Sequence, residues 1–194
     1  MLIASDVDDV LTKTLELFCE EEMTPMVGRT VTVDDFHSWN IENAFDGIER
    51  ADISNAFDHF LATEGYLRAE PRKDMVQLYQ QLAAEKVTFV YVTSRPKNWA
   101  TITQTENWLR EHQLPNNTFY HITDRKADYV KRIGADFIIE DNFGHALACG
   151  EVTEHPSLLL TRPHNRHDNI IQGNVLRIDK TEQLGRVIRR AYHR

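Results

Sequence analysis

The sequence predicts an α/β fold in which a parallel sheet carries helices on both faces. Three observations support this. Apolar runs of strand length recur at Leu2–Val7, Val87–Val92, Phe119–Ile122, Phe137–Ile139 and Leu158–Leu160, with a weaker sixth at Val175–Ile178. Stretches with helical spacing lie between them, and strand–helix alternation implies parallel strands joined by right-handed crossovers. The interval from Asp9 to Val87 is far longer than one crossover needs, so it holds an insertion.

Taken in order, the first run ends in Asp6-Val7-Asp8-Asp9-Val10-Leu11-Thr12. The insertion has no convincing strand pair but has helical segments near Thr14–Glu22, Asp34–Ala44 and Ile53–Thr63. It reads as a helical cap over the carboxyl ends of the strands. Pro71–Lys86 returns the chain to the sheet, with Met75, Leu78, Tyr79 and Leu82 at three- and four-residue steps. Asn98–Gln113, Asp124–Gly134 and Phe143–Gly150 supply the later helices. The expected division is a core of residues 1–12 and 85–194 and a cap of residues 13–84 that includes the return helix.

A chain of 194 residues can fill one core and carry an insertion. Its 41% hydrophobic and 27% charged residues are ordinary for a globular protein. A net charge of −8 argues against polymeric nucleic acid as partner but leaves room for a small anion held by local cations. There is no membrane-length apolar run, and residues 1–20 lack a signal-peptide pattern, which predicts a cytoplasmic location. Cys19 and Cys149 stand alone and are expected to be free thiols. A homodimer is compatible with all of this.

Four strand ends carry the chemistry. Two carboxylates at i and i+2, Asp6 and Asp8, leave the first strand where ligands of open α/β sheets gather. The bland reading is an acidic turn that caps the next helix. Thr93-Ser94-Arg95-Pro96 follows the second strand, where hydroxyls and backbone N–H groups can bind an anion. Glu140-Asp141 follows the fourth strand and suits a hard cation such as Mg²⁺. Lys126 opens the helix upstream, which returns it to the same sheet edge; most lysines are merely solvated. His155, His164 and His167 lack a fourth ligand at a recognisable spacing, so they read as a loop near the site rather than a zinc centre.

The order Asp-x-Asp, Thr-Ser, Lys, Glu-Asp resembles the four motifs of the haloacid-dehalogenase-like phosphohydrolases, over about residues 1–12 and 85–180. The resemblance implies a Rossmann-like core with a cap between the first two motifs. Phe36-His37-Ser38-Trp39-Asn40, Glu64-Gly65-Tyr66-Leu67-Arg68-Ala69-Glu70-Pro71 and the stretch from Leu158 to His167 are similar to segments of the 5′(3′)-deoxyribonucleotidases. Asp9 stands where that family usually has Gly, and Glu140-Asp141 replaces Asp-Asp.

What the resemblance implies is a Mg²⁺-dependent phosphomonoesterase acting on nucleoside or deoxynucleoside monophosphates. Asp6 is then the nucleophile that forms an aspartyl-phosphate. Asp8, held protonated by acidic neighbours, donates to the leaving oxygen and later takes a proton from water. The metal falls to Asp6, the Asp8 carbonyl and Asp141, with Glu140 orienting that set. Asp9, Thr93, Ser94 and Lys126 are expected around the phosphate, and Trp39, Phe36, Phe45 and Tyr66 around a base. Phe57 and Phe60, at helical spacing, read as cap core. Rival readings are a phosphatase of phosphosugars or other small metabolites, and a catalytically silent binding protein.

Overall fold

Side chains that alternate between two apolar environments build a sheet covered on both sides. Ile3, Phe89, Tyr91, Phe137 and Ile139 enter one buried cluster, while Ala4, Val92 and Ile138 enter another. The computed structural model describes residues 1–37, 41–116, 119–121, 125–168, 170 and 173–193, with Glu42, Asn43 and 119–121 described by backbone alone. Its six parallel strands are β1 (Leu2–Ser5), β2 (Thr88–Thr93), β3 (Phe119–His121), β4 (Phe137–Glu140), β5 (Ser157–Leu160) and β6 (Val175–Ile178). They run in the order β3-β2-β1-β4-β5-β6. Chain order reverses between β1 and β4, which opens a crevice at their carboxyl ends.

The first helices are α1 (Thr14–Phe18), continued by a wide π-type turn at Cys19–Met23, then α2 (Thr24–Val27), α3 (Arg50–Ala62) and α4 (Gly65–Arg68). The rest are α5 (Lys73–Ala84), α6 (Trp99–Glu111), α7 (Lys126–Ile133), α8 (Phe143–Gly150) and α9 (Thr181–Tyr192). α5, α6 and α9 cover one face of the sheet through Tyr79, Trp108 and Ile188; α7 and α8 cover the other through Val130 and Cys149. A third cluster, Phe18, Met23, Phe36, Phe45, Ile53, Phe60 and Tyr66 among others, is drawn wholly from the insertion. The return helix α5 packs on the sheet rather than in that cluster.

The expected helix over Asp34–Ala44 is not formed. Val33–Asp35 is a single tight 3₁₀ turn closed by a reciprocal Thr32–Asp35 cap, and Phe36 then takes an extended backbone with φ −92° and ψ 120°. A second 3₁₀ turn follows at Ile41–Ala44. Trp39 lies outside the described residues. Cys19 and Cys149 are buried free thiols. No helix among the described residues is long and apolar enough to cross a membrane.

The insertion leaves and rejoins the sheet at one place. Thr12 bridges Pro71 in antiparallel fashion, Lys13 N–H donates to the Glu70 carbonyl (2.8 Å), and Arg72 N–H donates to the Leu11 carbonyl (2.7 Å).

Candidate active site

Asp6 is the first residue beyond β1, and its N–H still donates to the Ile139 carbonyl of β4 (2.9 Å). That bond sets its carboxylate at the β1–β4 crevice, beside the end of β4. Lys126, at the start of α7, is almost fully buried and places its ammonium 3.1 Å from Asp6 Oδ2 and 2.5 Å from Glu140 Oε1. A lysine this deep needs paired carboxylates, and burial, which would lower it, is overcome by Asp6 and Glu140, so its pKa rises. The other Glu140 oxygen accepts from the N–H groups of Asp141 and Asn142 (3.1 and 3.2 Å). Burial opposes ionisation of Glu140, yet Lys126 and His145 hold its pKa at about 2.

Asp141 is held from behind. Its carbonyl accepts from Asn165 Nδ2 (2.6 Å), and His164 Nε2 stands 3.1 Å from Asp141 Oδ2. Oxygens of Asp6, Glu140 and Asp141 all lie within 4.8 Å of one another. Burial, with the charges of Glu140, Asp141 and Asp8 added, raises the Asp6 carboxyl well above its ordinary value despite Lys126. An all-oxygen cluster with surplus negative charge fits a hard divalent cation.

Asp8 has its own cation. Arg95 Nη2 and Nε donate to the two Asp8 oxygens at 2.7 and 2.9 Å, and Thr14 Oγ1 donates to Oδ1 at 2.6 Å. Burial would raise the Asp8 carboxyl, but the Arg95 charge and these hydrogen bonds bring it below the usual value. The expectation that acidic neighbours keep Asp8 protonated is therefore corrected. In this arrangement an arginine keeps it ionised.

Asp9 adopts φ +54°, a left-handed backbone that Asp tolerates better than most residues and Gly takes freely. Arg162 Nε and Arg72 Nε donate to its carbonyl (2.7 and 3.1 Å), and Arg72 also reaches its carboxylate (3.2 Å). Its carboxyl is raised by burial and by Asp141 and Glu16. Asp9 lines the cavity, with its carboxylate turned toward Arg72.

Asp6, Asp8, Asp9, Arg95 and His164 line the floor of a cavity of about 490 Å³, and Lys126, Glu140 and Asp141 lie buried behind them. Ser94 lines it, whereas Thr93 is fully buried, its hydroxyl oxygen accepting from Arg95 N–H (3.2 Å), so of the two expected hydroxyl contacts only Ser94 borders the space. The roof is apolar. Phe36 and Tyr66 line it, while Phe45 lies behind Phe36 in an edge-to-face contact (5.6 Å) and does not. The Phe57/Phe60 pair divides: Phe60 is fully buried, but Phe57 faces the cavity, stacked on Phe18 at 4.2 Å. Arg95 and Phe57 line the cavity although motif spacing did not single them out for it, and His164 lies there as part of the loop expected near the site. His155 stacks on Phe137 at the opposite end of β4 from the His164–Asp141 contact, so these histidines do not form one metal site.

A parallel sheet with acids converging at its switch point beneath a helical insertion defines the haloacid-dehalogenase-like hydrolase class. A predicted phosphatase from Clostridium acetobutylicum matches with a TM-score of 0.65 at 13% identity, over 97% of this chain and 98% of that one. A HAD family hydrolase from Deinococcus radiodurans R1, crystallised with bound phosphate and sodium, matches at 0.64 and 12%, over 98% and 96%. Protein Tyrosine Kinase A of Mycobacterium tuberculosis matches at 0.63 and 12%, over 96% and 97%, so the shared fold alone does not settle an activity. No curated protein sequence matches the chain. Residues 1–191 match the family model described as 5′ nucleotidase, deoxy (Pyrimidine), cytosolic type C protein, and the chain belongs to that family. It is a phosphoric monoester hydrolase of the phosphatase and nucleotidase kind.

Proposed function

We propose that the protein is a Mg²⁺-dependent, cytoplasmic nucleotidase that dephosphorylates nucleoside or deoxynucleoside monophosphates. The observation that carries this is one cavity with Asp6 and Asp8 in its floor, Lys126 buried against Asp6, and aromatic rings in its roof. A phosphate monoester resists an anionic nucleophile until its charge is neutralised and the attack aligned. Asp6 attacks phosphorus, the ester P–O bond breaks, and an aspartyl-phosphate forms. The dianion arriving beside Asp8 favours the protonated form of that carboxyl. Asp8 then gives its proton to the leaving oxygen and, as carboxylate, takes one from the water that releases phosphate. Lys126 and Ser94 hold phosphoryl oxygens, with Thr93 shaping the turn that carries Ser94. A Mg²⁺ ion held by Asp6, Asp141 and the Asp8 carbonyl would draw charge from the phosphoryl oxygens. Glu140, whose oxygens already face Lys126 and two backbone N–H groups, orients this set.

Residues 13–84 act as cap and return helix over a core of residues 1–12 and 85–194. Phe36, Phe57 and Tyr66 offer apolar faces to a base, since aromatic faces stack on any of them. Phosphate release across nucleoside monophosphates and sugar phosphates, with and without Mg²⁺, tests the assignment. Mg²⁺-dependent turnover strongest on nucleotides is the expected result. Preference for sugar phosphates transfers the same floor to a metabolite phosphatase.

A further inference from the structure

We propose that Arg95 is a positioning residue that aims the Asp8 carboxylate into the cavity. The inference rests on the reading of Asp8 as the proton-transferring group. Arg95 sits in the turn after β2, and Asp8 follows β1, so the contact crosses two neighbouring strand ends. Nε and Nη2 meet the two carboxylate oxygens at 2.9 and 2.7 Å, a fork that fixes the carboxylate plane as well as its distance.

The fork is itself held. Nη1 donates to Thr105 Oγ1 (2.9 Å), and that hydroxyl gives its own hydrogen to the Thr101 carbonyl (2.7 Å). Thr105 therefore serves as an acceptor for the guanidinium and ties it to α6. The Tyr66 ring lies 4.3 Å from the guanidinium carbon, so a roof residue covers its face. Arg95 is 4% exposed, and such a charge would be costly to bury for packing alone. The floor thus divides its cations: Lys126 serves Asp6 and Glu140, and Arg95 serves Asp8. Because Tyr66 and Thr105 come from different helical elements, the aim of Asp8 depends on both the roof and the sheet's own helix layer.

The variants Arg95→Lys and Arg95→Ala test this on two substrates, a nucleoside 5′-monophosphate with a poor leaving group and an aryl phosphate with a good one. A general acid matters most where the leaving oxygen is basic, and such groups contribute on the order of 10²–10⁴-fold. The expected result is a fall of about 10²-fold or more in nucleotide kcat with KM little changed, and only a few-fold fall for the aryl ester. Arg95→Ala should regain nucleotide turnover when guanidinium ion is added at millimolar concentration. In an Asp8→Asn background, Arg95→Lys should add almost nothing. Equal losses on both substrates, or additive losses with Asp8→Asn, overturn the positioning role. Full nucleotide turnover by Asp8→Asn overturns the reading of Asp8 itself, a separate outcome. Melting temperature identifies a misfolded Arg95→Ala, in which case Arg95→Lys and the double variant carry the decision.

Discussion

At and behind the floor of the cavity Lys126 is shared by Asp6 and Glu140, Arg95 grips Asp8, and His164 and Asn165 back Asp141. The roof offers Phe36, Phe57 and Tyr66, fixed by ring packing rather than by directed hydrogen bonds. The floor specifies positions to a fraction of an ångström, as displacement at phosphorus requires. The roof specifies a shape and a polarity. A reaction common to every phosphomonoester belongs to the first, and the choice among leaving groups belongs to the second.

The largest test of that contrast is Asp6→Asn. It should remove turnover of every substrate alike, on the order of 10⁴-fold or more, as loss of a nucleophile does elsewhere. Unchanged melting temperature would confirm that the fold survives. Chelation comes next, with a loss of about a thousandfold or more that Mg²⁺ reverses and Ca²⁺ does not, because calcium takes looser, larger coordination. Activity that survives exhaustive chelation would sink the metal assignment.

Glu140→Gln probes the floor through stability. Breaking a fully buried pair costs about 3 kcal/mol. The sign with pH follows from Glu140 being lowered to about 2: its contribution is present above the unfolded value, about 4.3, and is lost as pH falls toward 2. Metal-free urea melts should therefore show the wild-type advantage at neutral pH shrinking through that acid window. A constant gap would place the lost stability elsewhere.

Phe36→Ala should act on the roof alone. Losing a base stack costs about 1–3 kcal/mol, roughly ten- to a hundredfold in kcat/KM for nucleotides, with an aryl phosphate spared. A lower melting temperature is expected in any case, because the ring also sits in the insertion's core; an equal loss on both substrates makes Phe36 a packing residue alone. Smallest of all should be Asp9→Gly. It gives up the Arg72 contact but relieves a left-handed backbone, so stability should shift by no more than ~1 kcal/mol and turnover only a few-fold. A drop as large as that of Asp6→Asn would put Asp9 in the chemistry.

The sheet was legible because its strands are continuous apolar runs, and the floor because strand ends bring Asp6, Lys126 and Asp141 to one edge. The helix expected over Asp34–Ala44 begins as a capped turn at Thr32–Asp35, and the extended backbone at Phe36 breaks it there, which the apolar spacing did not reveal. Phe57 and Phe60 share helical spacing, and only docking of α3 decides which one meets the cavity. Arg95 carried no readable signal, since its meaning comes from Asp8 across a neighbouring strand. The protonation of Asp8 was misread for the same reason.

The paired backbone at Thr12 and Pro71 has an evolutionary consequence. Exit and entry lie one antiparallel strand spacing apart, about 5 Å, a gap that a two-residue hairpin turn closes. Whatever lies between Thr12 and Pro71 can therefore be lengthened, exchanged or deleted without moving a sheet strand. A lineage carrying this join can keep its reaction and replace its substrate list by recombination at a single seam, so long as the new segment supplies what Thr14 gives Asp8 and Tyr66 gives Arg95.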